Sequence, residues 1–215
     1  MILSILYNYL PFNNSFSIRK GNQVSLKGNF LKRCKIIVKG KNNSIYFFPL
    51  GKNYLEKCNI KIYGDDNSVL ISGSHNSLIL TEIWMEDNEN KVSFGNKTVI
   101  SGATHLALTE GSDLSFGDGC LLSSDVTFRT GDSHSILSIE GDKRINPSKS
   151  IYIGNRVWIG NKTIVLKGSR IQDDSVVATG SVVTKEFNDT NVIIAGNPAV
   201  IIKNNVKWIK ERVKI

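Results

Sequence analysis

Every sixth residue from Ile153 is a branched aliphatic: Ile153, Ile159, Val165, Ile171, Val177 and Val183. A period of six matches neither the 3.6-residue repeat of a helix nor the simple alternation of a hairpin. It fits a β-solenoid, in which each short strand turns one aliphatic inward and three strands close a coil of about eighteen residues. On that plan Ile153 stacks under Ile171, Ile159 under Val177 and Val165 under Val183. Four residues after each aliphatic come Val157, Thr163, Ser169, Ser175, Ser181 and Phe187, mostly small, as tight corners require. Burying one aliphatic is worth about 1.5–3 kcal/mol, so a single coil cannot stand alone but a stack can.

Upstream the repeat weakens. Phe116, Leu122 and Phe128 keep the spacing of six, as do Phe94 and Ile100, with a slip of four between the two runs. Earlier, "CKIIVKGKNNSIYFF", "CNIKIYGDDNSVLISG" and "SHNSLIL" share alternating apolar residues, a glycine turn, then Asn-Ser and another apolar strand. The expected organisation is a cap segment over 1–23 and a β-helix over 24–203. Within the helix, irregular coils cover 24–110 and regular coils 111–187, with an extruded loop at 129–150. After the coils, "NVIIAGNPAVIIK" adds a strand and a Gly-Asn-Pro turn. Val206, Ile209 and Val213 fall at helical spacing, which predicts a short C-terminal helix over 204–215.

Composition narrows the classes. Cys34, Cys58 and Cys120 are odd in number and form no C-x-x-C pair, which argues against a disulfide framework or a zinc site and for a reducing, cytoplasmic setting. Cys120, in a small corner position beside Phe116, reads as a buried, inert thiol. The apolar start "MILSILYNYLPF" is too short to span a bilayer and lacks a signal peptide's basic flank, so no transmembrane segment is expected. A formal charge of +8 suits an anionic partner, a phosphorylated cofactor or an acidic glycan. The basic residues are dispersed, without an aromatic stacking platform for bases, so nucleic acid is not expected.

The run "IYIGNRVWIGNKTIVLKGSRIQDDSVVATGSVVTKEF", followed by "VIIAGNPAVIIK", resembles the hexapeptide-repeat acyltransferases with a left-handed β-helix, a family that includes maltose and galactoside O-acetyltransferases. The likeness is close over about Phe116 to Lys203, and "RTGDSH" with "GDKRINPSKSIYIGNRVWIG" is most similar to capsule-modifying enzymes, including polysialic acid O-acetyltransferases. The left hand comes from the resemblance, since ordinary crossovers are right-handed. The resemblance implies a homotrimer, with acetyl-CoA lying along the solenoid and the loop reaching a cleft between subunits. The implied reaction is acetyl transfer to a hydroxyl of a capsule or lipopolysaccharide sugar. N-acetylation of an amino sugar or amino-sugar nucleotide is the alternative, and an inactive scaffold a third reading.

By the same resemblance His134 matches the catalytic base, removing the hydroxyl proton during direct attack in a ternary complex. Asp132 is a candidate to hold the other ring nitrogen, with Glu110, Glu140 or a backbone carbonyl as alternatives. The backbone N–H of Asn161 is the candidate donor to the developing oxyanion. Trp158, Gly160, Asn161, Thr179, Gly180, Thr184, Lys185 and Lys203 match the cofactor contacts, although Trp158 also suits subunit packing. Lys185 is suited to a phosphate as a point charge. Val200 stands where many relatives carry arginine, and Thr184 where polysialic relatives carry tyrosine. His105, Arg129, Lys143 and Arg144 are acceptor candidates, with ordinary surface positions as the alternative. No metal is expected: His75, His105 and His134 lack the close pair of a zinc-binding solenoid.

Overall fold

A computed structural model describes residues 12–214, whose regular elements are strands. They form three sheets of eight, eight and nine strands. Face A runs from Ser15–Ile18 to Val182–Val183, face B from Gln23–Ser25 to Glu186–Phe187, and face C from Phe30–Lys32 to Ile193–Gly196. Each strand lies parallel to its counterpart in the next coil, so the chain is a β-solenoid. The final strand, Ala199–Lys203, alone folds back antiparallel at the Gly-Asn-Pro turn.

The hexads stack as their spacing demands. Ile153 pairs with Ile171, Ile159 with Val177 and Val165 with Val183, all at most 3% exposed. Corner residues Thr163, Ser169, Ser175 and Ser181 are equally buried, their hydroxyls spent on nearby carbonyls. Phe187 differs from its expected corner role: it takes an inward strand position on Ile171 and helps close the end of the core. Upstream coils are wider because most of their strands on faces A and B bury two apolar residues or more, such as Ile36 with Val38, Ile45 with Phe47, and Val69 with Ile71. The slip of four lies where Thr104–Leu108 buries both Leu106 and Leu108 before the chain turns.

Wide coils need polar corners, and buried asparagines supply them. Asn29, Asn53 and Asn76 form one column and Asn22, Asn43, Asn67 and Asn90 another. Each side-chain oxygen accepts the backbone N–H one coil along, as Asn53 Oδ1 does from Asn76 at 2.9 Å. Asn53 Nδ2 in turn donates to Asn29 Oδ1 at 2.7 Å and Gly73 O at 3.1 Å. Cys34 and Cys58 occupy the third corner and Cys120 a later one, and all three are buried thiols. Burial pushes Cys120 up to about 11, consistent with an inert role.

Two boundaries change. The stack begins at Ser15, which pairs with Lys35, rather than near Val24; residues 1–11 of the expected cap lie outside the described residues. The expected C-terminal helix is not formed among the described residues. Val206 instead exchanges hydrogen bonds with Asn191, and the Trp208 indole donates to Arg156 O. Ile209 and Val213 stay 49% and 69% exposed, so no apolar face holds so short a segment helical. No helix among the described residues is long and apolar enough to cross a membrane.

Replacing Asn53 with Ala takes a partner from four groups, and three of them, Gly73 O, Asn76 N and Asn76 Nδ2, keep no other among the described residues, at roughly 1 kcal/mol each. The expected loss is about 3 kcal/mol in urea unfolding, and an unchanged midpoint would contradict the ladder's role.

Candidate functional site

Among the described residues the stack is interrupted once. Face A ends a strand at Arg129, and the next strand, Ile151–Ile153, resumes on face B, so the stretch between them leaves the coil. Its tip is a small hairpin, with Ser138 N donating to Lys143 O and Ile145 N to Ile136 O. Ile136, Leu137, Ile139 and Ile145 are all exposed on it.

Asn146 clamps the base of this loop. It is 8% exposed, donates to Asp132 Oδ2 at 2.8 Å and His134 O at 2.9 Å, and accepts Ile136 N at 2.7 Å. Lys167, on the following coil, reaches both Asp132 Oδ2 and Asn146 O. The Lys167 ammonium, then the Asn146 amide, hold the Asp132 carboxyl below its ordinary range. Glu110 is held down similarly by Arg144, and accepts Ser148 N at 3.0 Å. Asp132 and Glu110 therefore tie the loop to the solenoid through Lys167, Asn146, Arg144 and Ser148, and neither forms a bond to the His134 ring. Nothing in the sequence singled out Asn146 or Lys167; the Asn146-Pro147 dipeptide is the only local turn signal.

Beneath the loop, on face A, lies a cleft of about 610 Å³. His134 and His105 both line it, with Asp132, Arg129 and Arg144. His105 Nδ1 lies 3.1 Å from Glu82 Oε2, while Glu82 Oε1 is 2.6 Å from Lys61. Burial would raise the Glu82 carboxyl, but Lys61 and His105 together hold it low. Arg129 donates to Ser133 Oγ at 3.1 Å. The His134 ring is exposed at the rim, and Lys143 lies out on the hairpin.

The candidate cofactor residues form a separate group, and none of them lines the cleft. Trp158, 39% exposed on face C, has Trp208 at 6.1 Å. Gly160 is fixed by a close approach, since a Cβ there would sit 2.6 Å from Thr179 N. Asn161 anchors its amide on Ser124 O at 2.8 Å, while its backbone N–H takes no partner among the described residues. Thr179 and Gly180 lie one coil on, with Gly180 N bonded to Asn161 O and its φ of +74° facing open space. Thr184 and Lys185 are exposed at the next corner, the Lys185 ammonium 5.5 Å over the Phe187 ring. Lys203 ends the final strand. An exposed indole, an open glycine corner, an unbonded N–H and two lysines suit a long ligand with an anionic end.

This solenoid with one extruded loop has the fold of the left-handed β-helix acetyltransferases. In sequence, the chain is 35% identical over 121 residues to the polysialic acid O-acetyltransferase of Escherichia coli O1:K1 / APEC, covering 56% of this chain and 39% of that protein. It is 32% identical over 107 residues to the polysialic acid O-acetyltransferase of Neisseria meningitidis, covering 50% of each. The crystal structure of the polySia-specific acetyltransferase NeuO matches with a TM-score of 0.78 at 28% identity, covering 93% of this chain and 86% of that one. The matches to these curated relatives thus span half of their length or less. No protein-family model matches the chain. The resemblance carried by the loop and the hexads is borne out by these relatives.

The depressed carboxyls set a pH window for the loop. A group whose folded pKa is lowered stabilises above its unfolded pKa, near 4, and that contribution is lost as pH falls through the folded value. NMR order parameters for 133–145 should therefore be high at pH 7 and fall below about pH 4. Asn146→Ala should loosen the loop already at pH 7. A loop equally ordered in both proteins at both pH values would contradict the clamp.

Proposed function

We propose that the chain transfers an acetyl group from acetyl-CoA to a hydroxyl of a bacterial surface sugar, of capsule or lipopolysaccharide, in the cytoplasm. The observation that carries this reading is His134, exposed at the rim of a cleft by the one loop that leaves the stack, in a chain whose relatives are named O-acetyltransferases. Bound acetyl-CoA would supply an activated thioester carbonyl. His134 takes the proton of the attacking hydroxyl, since a free alcohol is too weak an acid to ionise at neutral pH. The Asn161 N–H offers a fixed dipole where negative charge develops on oxygen. Trp158, Gly160, Thr179, Gly180 and Thr184 line the path of the cofactor, and Lys185 and Lys203 meet its phosphates. Asp132 acts as a positioning residue through the loop.

The candidate cofactor residues lie outside the lining of the cleft, and the loop tip is apolar and exposed. Both features support a homotrimer in which the loop of one protomer faces the path of its neighbour. The three buried thiols take no part, so transfer is direct.

Purified protein should release CoA in the presence of acetyl-CoA and a glycan, giving an ester cleaved by mild alkali. His134→Ala should lower turnover by about 10²–10⁴-fold with the circular dichroism spectrum unchanged. An alkali-stable product would point to N-acetylation, and turnover surviving in the variant would overturn the base assignment.

A further inference from the structure

The cleft also carries information about the acceptor that no candidate residue named so far provides. On face A the outward column reads Lys61, Trp84, Ala107, Arg129, each residue in register with the next. Ala107 is therefore a low point between an indole and a guanidinium, which stand two strand spacings, roughly 10 Å, apart. Trp84 is held from the far side: Tyr63 lies 5.1 Å away and the Lys61 ammonium 4.9 Å from its centroid. Its remaining side borders the recess over Ala107, which also lines the cleft.

Charge in the recess runs against the chain's overall +8. The lining holds five carboxylates against three cationic side chains, Lys61, Arg129 and Arg144. Lys61 is committed to Glu82 and Arg144 to Glu110. Of the carboxylates beside Trp84, Glu86 has no side-chain partner among the described residues, and the Asp87 carboxylate accepts the Thr109 hydroxyl at 2.6 Å. Asp132 is likewise committed, to Lys167, which leaves Glu86 and Asp87 without a cation against Arg129, whose side chain donates to Ser133 Oγ. A glycan with a carboxylate on every sugar would meet like charge there, whereas hydroxyls donate to carboxylates at full strength. An indole face beside them suits the apolar face of a pyranose ring.

We infer that the acceptor is an uncharged, hydroxyl-rich sugar, its ring stacked on Trp84 over Ala107 and its hydroxyls donated to Glu86 and Asp87. The inference rests on the acetyl-transfer reading of the same cleft, and it parts the chain from relatives named for polysialic acid.

The test is calorimetric titration of the intact protein with neutral glucose-, galactose- and mannose-series oligosaccharides and with polysialic acid, at low and moderate salt. The expected result is binding of a neutral series that changes little with salt, weakened about tenfold in Trp84→Ala and retained in Trp84→Phe. Preference for polysialic acid, binding of neither class, or indifference to both Trp84 substitutions overturns the inference. CoA release from acetyl-CoA is read on the same samples with each glycan class. Release with either class that is lost in His134→Ala upholds the transfer reading even where the acceptor inference fails, and no release with either class counts against transfer itself.

Discussion

Backbone hydrogen bonds between successive coils constrain everything else in this molecule. Each coil is laid in parallel register on the one before, so an inward residue must stack on an inward residue and a corner on a corner. Ile153, Ile171 and Phe187 form one such column, and Phe94 stacks on Phe116 with rings 4.9 Å apart and 3° from parallel. Any insertion must leave the coil entirely and return in register. The stretch after Arg129 does this, with Leu114 beside Ile151 across it. A polar excursion rooted in so regular a frame has fixed ends, and Asn146, Lys167 and Glu110 fix its interior as well.

How much of this was legible depended on how strictly each residue was constrained. In the narrow coils beyond Ile153 each strand turns one side chain inward, so the period is exposed from Ile153 to Val183 without interruption. In the wide coils the count of inward residues varies from strand to strand, and the period dissolves although the register is equally strict. The asparagine columns are spaced by whole coils, twenty or more residues apart, with no local pattern to flag them beyond the Asn-Ser pairs. Val206, Ile209 and Val213 have helical spacing but no partner face, and the segment bonds to the solenoid end instead. The loop that carries His134 was legible from its motif. Its surroundings were not, because Asp132, Asn146 and Lys167 converge only once the next coil is laid down.

On the proposed reading the functional surface divides into two parts with different chemistry. One is a recess on face A, rich in carboxylates and floored by an outward column of Trp84 and Ala107, where hydroxyl groups find acceptors. The other is a line of open glycine corners, an unbonded N–H and lysines at the end of the stack, suited to a phosphate-bearing thioester. The cofactor candidates lie outside the lining of the recess, and on the proposed reading the exposed apolar hairpin tip gives a second chain a surface to pack on. On this account the fold provides the spacing and the assembly brings the two parts together.

Subunit complementation tests this most directly. Protomers carrying His134→Ala are mixed and reassembled with protomers carrying Gly180→Trp, which blocks the open corner of the proposed cofactor path. If the two parts meet between chains, each parent is inactive and the mixed assembly regains a substantial fraction of native turnover. Mixed assemblies as inactive as both parents, or a fully active isolated protomer, would contradict a site shared between chains.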